Sequence, residues 1–420
     1  MKMFITLSLL ALVSLAKAQQ QVPLTLADCH AKAELNYPLA RQRELIRKSE
    51  AYSISNASKG RLPQVMIAGQ YSTQSDVTGL PVQLPGVDVP ALSKEQYKVY
   101  GEITLPLYDG GVVKHQKQSH EASAKIEDQK LEVELYKLKD RINQLFFGIL
   151  LLDEQLKQND LLNNDIQLGI RKTEAAIANG TAFKSSADVL KAELLKAGQR
   201  TIEFKAVRSA YIAMLSHFTG ISADENIVLE KPGQLLLVAE NNRPEVPLFL
   251  YQQQTLDVQD KMLTARNLPR LNTFLQAGYG RPALNMLSNE LDAYYITGLR
   301  LTWNLTGLYT HKKEKALLDL QRTNITLQKE TFLFNTDLSV HQQNAEVKKY
   351  QQLLSSDEAI IALRVSIKNT ASVQLENGVI SPNDFLKEAN AEDQARLARI
   401  QHEIQLLLAQ YTQQTITGNL

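Results

Sequence analysis

The sequence predicts a mainly helical protein with a β part that crosses a membrane, built as a duplicated helix–β-hairpin–long helix–helix unit. Three observations point there. Paired prolines recur at a constant offset, segments of about ten residues alternate apolar with polar, and long proline-free stretches carry apolar residues at coiled-coil spacing.

The chain has 420 residues, and its first 18 read as a secretory signal: Lys2, the apolar run Phe4–Leu15 and the small-x-small site Ala16-Lys17-Ala18. Lys2 and Lys17 leave with it, so Lys+Arg falls from 46 to 44 against 45 acids, a net charge near −1. No basicity points toward nucleic acid. Cys29 is the only cysteine, which excludes an intrachain disulfide, and no small apolar residues precede it as they would a lipidated cysteine. A buried structural thiol is expected. Past the signal no 18 consecutive residues are apolar, so the mature chain is either soluble in a periplasm or crosses a membrane as a β-barrel.

The duplication is explicit. Asn36-Tyr37-Pro38 recurs as Asn242-Arg243-Pro244, and Arg61-Leu62-Pro63 as Asn267-Leu268-Pro269, the prolines being 25 residues apart in each repeat at an offset of 206. Gly110 pairs with Gly307, and Asn179-Gly180 with Asn377-Gly378 at an offset of 198. The expected division is a signal over 1–18, a first repeat over 19–220, a linker over 221–243 and a second repeat over 244–420. The first repeat is expected to hold a hairpin over about 63–106, a long helix over about 110–178 and a return helix over about 186–219. The second is expected to hold them over about 269–305, 309–376 and 382–416.

In the hairpins, Tyr97, Val99, Ile103 and Leu105 alternate with Lys98, Tyr100, Glu102 and Thr104. Tyr295, Leu299, Leu301, Trp303 and Leu305 alternate with Arg300, Thr302 and Asn304. Period 2 gives a strand with one oily and one wet face, about as long as a tilted membrane strand needs. Period alone fits a sandwich strand equally. Four strands cannot close a barrel, since roughly eight are the minimum, so a membrane reading requires several chains to share one. The loop over 74–94 is rich in Gly and Pro, the loop over 281–291 is shorter.

In the first long helix Leu131, Leu135, Leu138, Ile142, Leu145, Ile149, Leu152 and Leu156 follow at alternating spacings of four and three, a coiled-coil seam. The second seam is weaker: Leu317, Leu320, Leu327, Phe334 and Leu338. Asn179-Gly180 and Asn377-Gly378 are helix stops suited to left-handed backbone. Ser381-Pro382-Asn383-Asp384 is an N-cap with Pro at the first helical position and an acid three residues on.

These residues resemble the TolC-like outer membrane efflux proteins. The resemblance rests on Leu24-Thr25-Leu26-x-Asp28 with Ala33 and Asn36-x-Pro38, on Leu105-Pro106-Leu107-Tyr108-Asp109-Gly110-Gly111, and on Gly378 followed by Asp384-Phe385-Leu386, repeated as Gly180 with Asp188-Val189-Leu190. It implies a homotrimer in the outer membrane of a Gram-negative bacterium, whose four strands per chain complete a twelve-stranded barrel in outer-membrane lipid above a trimeric α-barrel tunnel. It implies a passive channel serving an inner-membrane transporter through a periplasmic adaptor. The turns at Asn179, Gly180, Asn377 and Gly378 would form the periplasmic aperture, with Asp188 beside the first. Asp384 falls where the family places an aperture acid, while Lys387 stands where members often carry a second Asp. Capping its own helix is an equal reading of Asp384. Tyr97, Tyr295 and Trp303 are assigned to the barrel's membrane interface.

No catalysis, cofactor or metal is expected. His115 and His120 are five apart and do not share a helix face, and phosphate loops, nucleophile elbows and basic patches with interleaved aromatics are absent. Two alternatives stand beside the efflux conduit: a periplasmic coiled-coil scaffold, and the same conduit exporting polypeptides or metal ions.

Overall fold

The computed structural model describes residues 23–78, 92–222, 227–235 and 240–420. The expected signal and most of the 74–94 loop lie outside the described residues. In chain order the elements are α1 (Leu26–Asn36), α2 (Gln42–Ser58), β1 (Gln64–Thr73), β2 (Glu95–Tyr108), α3 (Val112–Tyr136), α4 (Leu138–Ala178) and α5 (Lys184–Thr219). There follow α6 (Glu245–Arg266), β3 (Arg270–Arg281), β4 (Asp292–Thr302), α7 (Leu308–Glu376) and α8 (Pro382–Thr417). They form two compact units that cut across the sequence repeats, each drawing segments from both.

The first unit comprises residues 23–41, 131–244 and 332–420 of the described chain. Helix α1 starts on Thr25, whose Oγ1 accepts from the Asp28 backbone N–H at 3.1 Å. The α4 seam supplies the core: Ile142, Phe146, Phe147, Ile149 and Leu150 pack on Leu26, Cys29 and Ala33 of α1, Ile212 and Leu215 of α5, and Ile404, Leu407 and Tyr411 of α8. The Phe147 ring lies 5.3 Å from that of Tyr411. Gly148 faces Tyr211, where a Cβ would come within 2.6 Å of the ring, so only glycine lets α5 approach. Cys29 is a buried free thiol, and burial pushes it up to about 12. It is inert packing. Between α3 and α4 the regular helical pattern lapses at Lys137. There Tyr136 donates to the Thr415 carbonyl of α8 at 2.9 Å and Lys139 to that of Leu420 just past it, tying both sides of the lapse to the last residues described.

The second unit comprises residues 42–130 and 245–331 and holds the sheet. The strands pair antiparallel in the order β1-β2-β3-β4, so β1 and β4 are its edges. Register keeps parity across all four. Ile67 is level with Gly101, Ala277 and Tyr295, and Met66 with Glu102, Gln276 and Ile296. Odd-numbered residues therefore share one face and even-numbered residues the other, until the irregularity between Pro106 and Tyr108. The odd face is apolar and bare, with Ile67 82 %, Tyr295 71 % and Leu301 71 % exposed. The even face is polar and crowded, with Glu102 only 8 % and Tyr294 9 % exposed. A sheet of a water-soluble protein has this the other way round.

At the strand-to-helix exits, Asp109 accepts from the backbone N–H of Gly111 and Val113, both at 2.8 Å, capping α3. Gly110 takes φ +70° against the end of α6, where a Cβ would come 2.8 Å from the Ala265 carbonyl.

Candidate functional site

The two helical turns of the first unit are built by one pattern of bonds. At the end of α4, Asn179 N–H donates to Ala175 O at 3.1 Å, Gly180 to Ile177 O at 3.0 Å and Thr181 to Ala176 O at 2.9 Å. At the end of α7, Asn377 N–H donates to Val373 O at 3.1 Å, Gly378 to Leu375 O at 3.1 Å and Val379 to Gln374 O at 2.8 Å. Gly180 and Gly378 take φ +70° and +68°, the left-handed helix stop. Open space surrounds both, so the backbone angle alone calls for glycine.

The restarts differ. Ser381 caps α8: its Oγ accepts from Asp384 N–H at 3.2 Å, and the Asp384 carboxylate accepts from Ser381 N–H at 3.2 Å and from its hydroxyl at 2.6 Å. Those side-chain and backbone bonds, with the Lys387 charge nearby, hold the Asp384 carboxyl below the usual carboxylate range. Phe183, at the corresponding start of α5, makes no side-chain cap bond and is 82 % exposed. Asp188 lies further into its helix than Asp384, beside the Lys191–Glu174 pair at 2.8 Å. The structure thus brings Asp384 into a cap and leaves Asp188 out of one.

The turns lie side by side. Lys172 of α4 reaches Glu376 at 2.9 Å and the Ser372 hydroxyl at 3.1 Å on α7. Phe385 packs on Ala371, Leu375 and Ala389, and a Cβ on Gly169 would come 3.0 Å from its ring. Leu386 turns instead to Leu162, Ile166, Ile170 and Leu190. Asp384, Lys387 and Glu388 line a cleft of about 370 Å³ with Ile367, Thr370 and Ile380.

Farther along these helices lies a buried charge network that sequence reading missed. Lys368 of α7 bridges Asp165 of α4 at 2.8 Å and Glu392 of α8 at 2.7 Å, and Arg396 binds Glu392 at 2.6 Å. Asp393 accepts from Gln158 at 3.1 Å and from Arg200 at 3.3 Å. Burial raises Asp393, and these bonds do not bring it back down. Burial pushes Glu392 up as well, but Lys368 and Arg396 outweigh it and hold the carboxyl low. Charged residues near each seam were visible, but partners some 200 positions apart, such as Lys368 and Asp165 (203), leave no local signal.

In the sheet, Tyr97, Tyr295 and Trp303 are odd-numbered and exposed. Tyr97 sits at the loop end, level with Tyr71 and Arg281, and its hydroxyl accepts from Arg281 at 3.3 Å. Tyr295 is level with Ala277, farther into the strand than Tyr97. Trp303 follows β4 at the helix end and donates from its indole N–H to Asn267 O at 3.0 Å. Among the described residues no helix is long and apolar enough to cross a membrane, and no cluster of metal-ligating side chains occurs.

No protein-family model and no curated protein sequence matches the chain. Solved structures do. The channel CusC superposes with a TM-score of 0.71 at 12 % identity, covering 94 % of this chain and 92 % of that one. The Neisseria gonorrhoeae MtrE outer membrane channel gives 0.63 at 13 %, covering 94 % and 88 %. The Campylobacter jejuni CmeC outer membrane channel gives 0.62 at 12 %, covering 93 % and 86 %. The chain has the fold of these TolC-like outer membrane channels.

Proposed function

We propose that the chain is one third of a trimeric conduit through the outer membrane of a Gram-negative bacterium, and that it conducts without catalysing. One observation carries this reading: the sheet is inside out, with a bare apolar face, a crowded polar face and two open edges. In water, that face and those edges would drive aggregation. In a closed barrel the edges pair and the odd face meets lipid, while the even face lines a lumen. Strands of 10 to 14 residues suffice to cross the hydrocarbon layer. Tyr71 and Tyr97 at one end and Trp303 at the other suit the two aromatic girdles of such a barrel.

The helical turns are the natural contact for a periplasmic adaptor, which would couple the conduit to an inner-membrane transporter. Phe183 and Val379 support this reading, because they hold large apolar side chains in water beside Gly180 and Gly378. Nothing in the described residues harvests energy, so the transporter would supply it. Asp384 serves its helix cap first, and any aperture charge is shared with Lys387. Discrete conductance steps from the detergent-purified mature chain in planar bilayers are the expected result. A chain that is silent, monomeric and soluble without detergent would return the scaffold reading.

A further inference from the structure

We propose that the Glu102–Arg300 pair holds the barrel lumen neutral at its level, so that Arg300 keeps Glu102 from imposing a charge preference on permeation; the inference rests on the conduit reading above. Glu102 of β2 and Arg300 of β4 lie on the even face and meet across β3 at 2.8 Å. The Arg300 guanidinium lies 4.4 Å from the centre of the Phe274 ring beneath it. The two partners are unequally covered: the Glu102 side chain is 10 % exposed, that of Arg300 46 %. A passing solute therefore meets the guanidinium, while the carboxylate is covered and accepts a further bond from Thr104 at 3.2 Å.

A polar-face ion pair could serve the sheet alone, by holding β2 and β4 together. Its placement gives it a second consequence. In a barrel of three chains the pair recurs three times at one level, and the lumen there is neutral only while both partners stay charged. Losing either partner leaves three like charges facing one another across the lumen. At low salt, with a Debye length of about 30 Å, such charges act across the whole cross-section. A pair turned away from the conducting path would change stability without imposing a sign on permeation, whereas a pair facing the lumen imposes opposite signs on the two variants.

The test is the reversal potential of trimers in planar bilayers, under a potassium chloride gradient of about 10 to 100 mM. Arg300→Gln should raise the potassium-to-chloride permeability ratio about threefold. Glu102→Gln should lower it by a similar factor, and the double variant should return to the parent value. Arg300→Lys keeps the charge and should keep the parent ratio, which guards against a misfolded glutamine variant. Conducting single variants that hold the parent reversal potential, or shift it in the same direction, overturn the inference and leave the conduit intact. A parent trimer that does not conduct removes both.

Discussion

The two long helices arise from corresponding parts of the two repeats, yet they meet opposite fates. The seam of α4 is consumed inside its own chain: Ile142, Phe146 and Ile149 are fully buried among α1, α5 and α8. The α7 residues Leu317, Leu320, Leu327, Phe334 and Leu338 are all more than half exposed. One stripe is spent inside the chain and the other stays exposed on it. The sheet repeats the lesson, with a crowded even face and a bare odd one. What the chain leaves uncovered is a better guide to its assembly than what it covers.

A charge placed on each face of the sheet in turn separates the two faces. Leu299→Lys puts an ammonium on the odd face and should cost about 2–4 kcal/mol if that face meets the middle of a bilayer. Met66→Lys on the even face should cost far less. Yield of folded trimer in outer membranes separates the two, and equal losses would contradict the assignment of faces.

For the helices, Phe146→Ala should lower the stability of the first unit by about 3–5 kcal/mol, seen as a fall in urea midpoint. Phe334→Ala should leave that midpoint nearly unchanged and instead weaken association between chains, read from the oligomer mass on dilution.

A third contrast is set by pH. Burial pushes His30 down to about 4, although its bond to Asn143 at 2.8 Å favours the charged form. A histidine depressed in the native state binds fewer protons there than in the unfolded chain. Its stabilising share is therefore full above about pH 6.5 and drains away as pH falls from 6.5 toward 4. The loss should be of order 3 kcal/mol, and His30→Gln should flatten the slope. A parent urea midpoint constant between those pH values would contradict it.

The smallest contrast concerns the turns. Ser381→Ala should cost about 1 kcal/mol through the lost cap. Phe183→Ala should cost the helix nothing, since its side chain caps nothing. Gly180→Ala and Gly378→Ala should each cost about 1 kcal/mol, equally, because only the backbone angle is at stake. Urea midpoints of the four variants check the order.

Much of this was legible in the sequence because it depends on local period and local caps. Alternation about Tyr97–Leu105 and Tyr295–Leu305 marks the two-faced strands, and Ser381-x-x-Asp384 announces its own hydrogen bonds. The 3-4 spacing shows that a helix will pack, but not whether its partner lies in the same chain. Leu327 and Ile149 therefore look alike until the fold is seen. Helix α1, only 11 residues long, carries little periodicity of its own, and Thr25-x-x-Asp28 is the one local signal of its start. The lapse at Lys137 and the Lys368–Asp165 bridge depend on residues brought together from distant parts of the chain, which no window of sequence contains.

In the proposed conduit the bare faces are covered by two further copies of the chain and by lipid. Native mass of the mature chain, in detergent and after its removal, tests this most directly. A three-chain species in detergent that aggregates when the detergent is withdrawn is the expected result. A monodisperse monomer that stays soluble without detergent would contradict it.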